Sequence, residues 1–130
     1  MKNENDALAF SGNFVQARQR FLAAAGDCGI ATLAFPISAQ GAQGEDLSMD
    51  VAVVGDKDPQ NIILLTSGIH GVEGFLGSAV QTAWLQKVGS NQMPLGRTAV
   101  VLVHALNPYG FSWIRRANEN NVDLIVSKVL

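Results

Sequence analysis

The sequence is poor in cysteine, in charge and in long apolar runs, and each shortage removes a class of function. Cys28 is the single cysteine, so an internal disulfide and any multi-cysteine zinc knuckle are excluded, and its place near a helix end marks it as a small buried thiol. Only 15% of the residues are charged and the formal net charge is −2. The nine Lys and Arg are scattered rather than massed, which leaves no electrostatic footprint for nucleic acid or an anionic membrane. No apolar run approaches the ~20 residues that span a bilayer. The opening MKNENDALAF lacks the basic start and apolar core of a signal peptide, so the expected location is cytoplasmic. What remains is a chain of 130 residues, 48% of them hydrophobic, suited to one globular domain with a buried core.

The pattern along the chain alternates between strands and helices. Phe14, Ala17, Phe21, Leu22 and Ala25 recur at helical spacing, with Gly26 as a stop. Ile30 to Ile37 and Met49 to Val54 read as strands of an antiparallel hairpin, joined through SAQGAQGEDL. Asp56 to Gln60 is a turn, and Ile62 to Leu65 and Ala99 to Val103 are continuous β-branched and apolar runs of the kind buried on both faces of a parallel sheet. Between them Val72, Phe75, Leu76, Ala79, Val80, Ala83 and Trp84 form a helical stripe expected to pack on those two strands. Strand, helix and strand make a right-handed crossover, and the fold class is α/β with a mixed, mostly parallel sheet and flanking helices.

Within this pattern LLTSGIHGVEGFLGSA, from Leu64 to Ala79, places His70 in the loop after a strand and Glu73 in the first turn of a helix. Loops at the carboxyl ends of parallel strands are where ligands bind. Neutral imidazole and carboxylate are both zinc ligands, and a loop that turns into a helix lets residues three apart converge. A phosphate cradle is disfavoured, because the segment has neither G-x-G-x-x-G nor a P-loop lysine and carries anionic Glu73. The plainer alternative is that Glu73 favours the helix amino terminus while His70 is a loop residue with a satisfied hydrogen bond. His104, at the end of a strand, reads as a satisfied core residue.

The segments Thr66 to Ala79 and HALNPYGFSWIRRANENNVDL, from His104 to Leu124, resemble the bacterial DUF2817 family, a branch of the M14 zinc carboxypeptidase-like hydrolases; FSGNFVQARQRFLAAA is similar to its start. The resemblance implies a three-layer α/β/α zinc carboxypeptidase-like fold and metal-assisted hydrolysis of a peptide or amide substrate. It makes His70 and Glu73 the first two zinc ligands, aligns Asn107 with the substrate-binding Asn-Pro loop, and makes Arg116, in preference to Arg115, the catalytic and substrate-binding arginine that polarises the scissile carbonyl. After Asp123 and Leu124 the family pattern continues with Asn-Arg-Asn, whereas this chain reads Ile125, Val126, Ser127 and ends at Leu130. The expectation is therefore an amino-terminal part of such a domain over 1–124 with a divergent tail over 125–130. With the third ligand and the catalytic glutamate missing, zinc would be held weakly or not at all, and the chain alone would be inactive. The alternative is a non-catalytic α/β module acting through association, and in either case an open sheet edge favours self-association.

Overall fold

The computed structural model describes residues 10–125, so the opening nine residues and all of the divergent tail except Ile125 lie outside the described residues. Helix α1 (Phe14–Asp27) starts where the Asn13 side chain accepts from Gln16 N–H at 2.8 Å. It ends on Gly29 at φ 69°, a left-handed position that a side chain would strain. There Ile30 N–H reaches back to Ala25 C=O and Gly29 N–H to Gly26 C=O, which satisfies two terminal carbonyls. Its buried residues, Phe14, Ala17, Phe21, Ala24 and Ala25, follow the sequence stripe closely.

Strands β1 (Thr32–Gln40) and β2 (Asp46–Gly55) form the antiparallel hairpin. Strand β3 (Asn61–Thr66) feeds helix α2 (Gly71–Gly89), which returns the chain to β4 (Thr98–His104), and a short helix α3 (Pro108–Trp113) follows. The sheet is mixed, in the order β1-β2-β4-β3. Among the described strands only β3 and β4 pair in parallel; β1 with β2 and β2 with β4 are antiparallel, so the parallel share there is smaller than the sequence implies.

The three described helices lie on one face of the sheet. Phe21, Ala24 and Leu85 pack on Ala52, Val54, Val100 and Leu102, while Phe14 and Ala17 meet Phe111, Leu47 and Ala105. On the other face Val53, Ile62 and Leu64 are exposed, so the described residues form two layers and not the three that were expected. Strand β3 is exposed along its whole length, which differs from the reading of Ile62 to Leu65 as buried on both faces: among the described strands β3 is an edge.

Helix α2 also departs from expectation. Ser78, Ala79, Gln81, Thr82 and Leu85 are buried, whereas Val72, Leu76 and Val80 are exposed. Apart from Ala79, the buried residues fall beside the expected stripe rather than on it. The cause is hydrogen bonding. Gln81 Nε2 donates to Leu65 C=O at 3.0 Å and Val103 C=O at 3.2 Å, its Oε1 accepts from the Ser67 hydroxyl at 2.8 Å, and Ser78 Oγ meets His104 Nε2 at 2.9 Å. Polar side chains that satisfy buried acceptors belong inside, and the apolar stripe is turned toward the uncovered side of β3. No helix of the described residues is long and apolar enough to cross a membrane.

Candidate functional site

Both candidate loops leave the carboxyl ends of the parallel pair and stay locked together beyond it. Ser67 N–H donates to Val103 C=O, Leu106 N–H to Ser67 C=O and Asn107 N–H to Gly68 C=O, at 2.8 to 3.0 Å. Asn107 then fastens three segments. Its Oδ1 accepts from Gly110 N–H at 2.8 Å as the cap of α3, and its Nδ2 donates to Ile69 C=O at 3.0 Å and to Arg116 C=O at 3.4 Å. The residue is buried, with its amide spent on backbone partners. Gly71 completes the lock: its N–H donates to Arg115 C=O, and a Cβ there would collide with the Gly110 carbonyl, Ile114 Cα and Arg115 N.

This frame places His70 immediately before α2, with its side chain 11% exposed. His70 Nε2 lies 3.1 Å from Asp123 Oδ1. A carboxylate only accepts, so Nε2 carries the proton and donates, and in the neutral ring Nδ1 keeps a free lone pair. Asp123 also accepts from Arg116, through Nε at 3.1 Å and Nη2 at 3.0 Å, both onto Oδ2. The His70 hydrogen bond, the Ile125 N–H and the Arg116 guanidinium together hold the Asp123 carboxyl far below the ordinary carboxylate range.

The other candidates fall around this core. Glu73 is exposed in the first turn of α2 and lines a trough between that helix and β3 with Leu65, Thr66, Leu76 and Val80. Arg116 remains exposed although anchored, whereas Arg115 points at the Tyr109 ring, 5.9 Å from its centroid. Among the described residues no three His, Cys, Asp or Glu side chains converge as a metal-holding group. Asp123 is the residue that sequence reasoning missed. The signal for it was the chemistry of His70: an imidazole that binds metal needs an acceptor for its other ring nitrogen.

His104 is fully buried under the same loops, stacked on Phe21 at 4.6 Å, and its Nδ1 has no partner. Burial pushes its pKa down to about 4, the nearby Asp50 opposing and Arg18 assisting. Asp50, its cross-strand partner, is bound by Arg18 at 2.7 and 2.9 Å. His104 therefore belongs to the core, as expected, but it is only half satisfied: Nε2 meets Ser78 and Nδ1 meets nothing among the described residues. Cys28 is half-buried, with its thiol 3.1 Å from Leu85 C=O.

Comparison with solved structures gives distant similarities. Glutaminyl cyclase from Fimbriiglobus ruber is similar at 12% identity and a TM-score of 0.49, over 73% of this chain and 38% of that one. Glutaminyl cyclase from Tannerella forsythia is similar at 10% and 0.49, over 98% and 48%. A Zn-dependent exopeptidase from Parabacteroides distasonis is similar at 10% and 0.49, over 82% and 44%. The chain thus spans less than half the length of each of these proteins. No curated protein matches it. The family described as "Protein of unknown function (DUF2817)" matches residues 10–125, nearly the whole chain, and the chain belongs to that family.

Proposed function

We propose that this chain carries the amino-terminal part of a zinc hydrolase centre of the M14 carboxypeptidase-like kind, acting on a peptide or amide substrate. The observation that supports this best is the Asp123 carboxylate on His70 Nε2, which fixes the tautomer and aims Nδ1 as a metal ligand. His70 and Glu73 would hold the ion. The fit of the described residues to it is partial: one oriented imidazole and one exposed carboxylate a turn away, without a third converging donor among them. On this reading the third ligand and the general base come from other residues. Zinc, when bound in such a site, lowers the pKa of a water toward ~7 and polarises the carbonyl.

The chain's own residues supply positioning and charge. Arg116 spends Nε and Nη2 on Asp123, which leaves Nη1 to meet a developing oxyanion. Asn107 acts on substrate through the backbone it holds, by keeping the His70 loop and Arg116 at a fixed separation. A non-catalytic α/β module is the second reading, favoured by the missing third donor among the described residues.

Equilibrium dialysis against zinc decides between them. The expected result is stoichiometric, weak binding that His70→Ala abolishes, Asp123→Asn weakens about 10- to 100-fold, and Arg116→Ala leaves unchanged. Zinc binding indifferent to His70→Ala would overturn the metal assignment, and no stoichiometric zinc at all would support the module.

A further inference from the structure

The segment that carries Asp123 to His70 belongs to no helix or strand. Among the described residues, every hydrogen bond donated by the backbone N–H groups of 117–125 ends on an atom of that same segment. Only its entry is tied to the rest of the fold, through Asn107 Nδ2 on Arg116 C=O at 3.4 Å. Asp123 lies seven residues beyond Arg116, and its carboxylate returns to the Arg116 guanidinium. The chain must turn back on itself in between.

One side chain makes that turn. Asn118 Oδ1 accepts from both Asn120 N–H and Val122 N–H at 3.0 Å, while the Asn118 backbone donates to Val122 C=O at 2.9 Å and accepts from Asn121 N–H at 3.0 Å. Asn118 thus takes part in every hydrogen bond that closes the loop. The turn also needs a left-handed residue, supplied by Asn121 at φ 59°, a conformation that asparagine tolerates.

The closed loop delivers a carboxylate whose two oxygens have separate tasks. Arg116 Nε and Nη2 both donate to Oδ2, at 3.1 and 3.0 Å, and His70 Nε2 donates to Oδ1 at 3.1 Å, where Ile125 N–H joins it at 3.0 Å. These bonds are too weak to order the segment unaided. The Arg116 side chain is 66% exposed, and a surface ion pair of that kind contributes little against the chain freedom lost in forming it. Closure by Asn118 removes that freedom beforehand, so Asp123 is already in place between its two anchored partners.

We infer that Asn118 is a positioning residue of the centre proposed above: it closes the loop that presents Asp123 Oδ1 to His70 Nε2, and so acts on the metal through two other side chains. The effect on metal rests on the reading of His70 as a zinc ligand, whereas the linkage from Asn118 through Asp123 to His70 stands without zinc.

The test reads both halves. In proton–nitrogen NMR of the metal-free full chain, the His70 Nε2–H held by Asp123 should give a slowly exchanging downfield imidazole signal, assigned by its disappearance in His70→Gln. Asn118→Ala should abolish that signal and weaken zinc binding in equilibrium dialysis by about 10-fold or more, the range seen when a partner behind a metal ligand is lost. Asn118→Asp keeps an acceptor oxygen in the same place and should retain both signal and affinity. Asn121→Gly, which keeps the left-handed turn, should do the same. In an Asp123→Ala background Asn118→Ala should have no further effect on zinc, because a residue that acts through Asp123 is silent once the carboxylate is gone. An imidazole signal or a zinc affinity left unchanged by Asn118→Ala would overturn the inference. So would a signal absent from the unsubstituted chain or lost in Asn118→Asp, or a further loss of affinity in the Asp123→Ala background. A chain that binds no zinc would overturn the metal reading alone, and the imidazole signal would still decide the linkage.

Discussion

Helix α2 has two long sides that invert the usual order. The side against the sheet is lined by Ser78, Gln81 and Thr82, and the exposed flank by Val72, Leu76 and Val80, the last two over the trough beside β3. The inner side is polar yet mostly satisfied, through Gln81 on two strand carbonyls and Ser78 on His104. The outer side is apolar and uncovered. The difference teaches that burial here follows hydrogen-bond supply before hydropathy: parallel strands that end beneath a helix offer carbonyls that only a polar side chain can meet. An apolar stripe left outside by that choice marks a contact surface.

The largest effect expected from breaking this arrangement lies beneath the inner side. Phe111 is fully buried and packs edge-on against Phe14 and Phe75 at 5.7 and 4.9 Å. Phe111→Ala should lower the unfolding free energy by about 3–5 kcal/mol, read from urea denaturation with an unchanged m-value.

Acid attacks the same side through His104. Its folded pKa of about 4 lies below the unfolded 6.5, so the unfolded chain takes up the proton first as pH falls. The stability is full above pH ~6.5 and declines as pH drops toward ~4, by on the order of 3 kcal/mol. Urea midpoints measured from pH 7 to pH 4.5 should show that decline, and His104→Gln should flatten it.

A smaller loss is expected at Gln81. Gln81→Leu strands the Ser67 hydroxyl and the second bonds to Leu65 and Val103, and should cost about 1–3 kcal/mol by the same measurement. If the substitution is neutral, the inner side is tolerated rather than selected by its hydrogen bonds. On the outer side Val72→Ser should change stability by no more than ~0.5 kcal/mol, because Val72 is 66% exposed. A larger loss there would mean that a partner covers the stripe.

The sequence made the connectivity legible. The amphipathic α1, the β1/β2 hairpin and the β3-α2-β4 crossover are each visible in local periodicity, and so is the loop position of His70. The buried face of α2 was not visible, because its cause is the carbonyls of Leu65 and Val103, which the helix sequence does not contain. The exposure of β3 was missed for a related reason: an apolar run reports what a strand can bury, and not whether a neighbour is present to bury it. Asp123 escaped notice because it is 53 residues from the imidazole it holds, and no short-range pattern links them.

That separation also has a kinetic meaning. The hairpin closes over a few residues, with Gln40 opposite Asp46, while the Asn107 bond to Ile69 spans 38 residues and the Asp123 bond to His70 spans 53. Closing a long loop costs chain entropy before any contact compensates for it, so late-closing contacts form after local ones. The lock around Asn107 is accordingly one of the last structures to assemble and one of the first to open. Pulse-labelled hydrogen exchange during refolding should protect the β1/β2 amides before those of Leu106 and Asn107, which makes the candidate site a readout of complete folding in this chain.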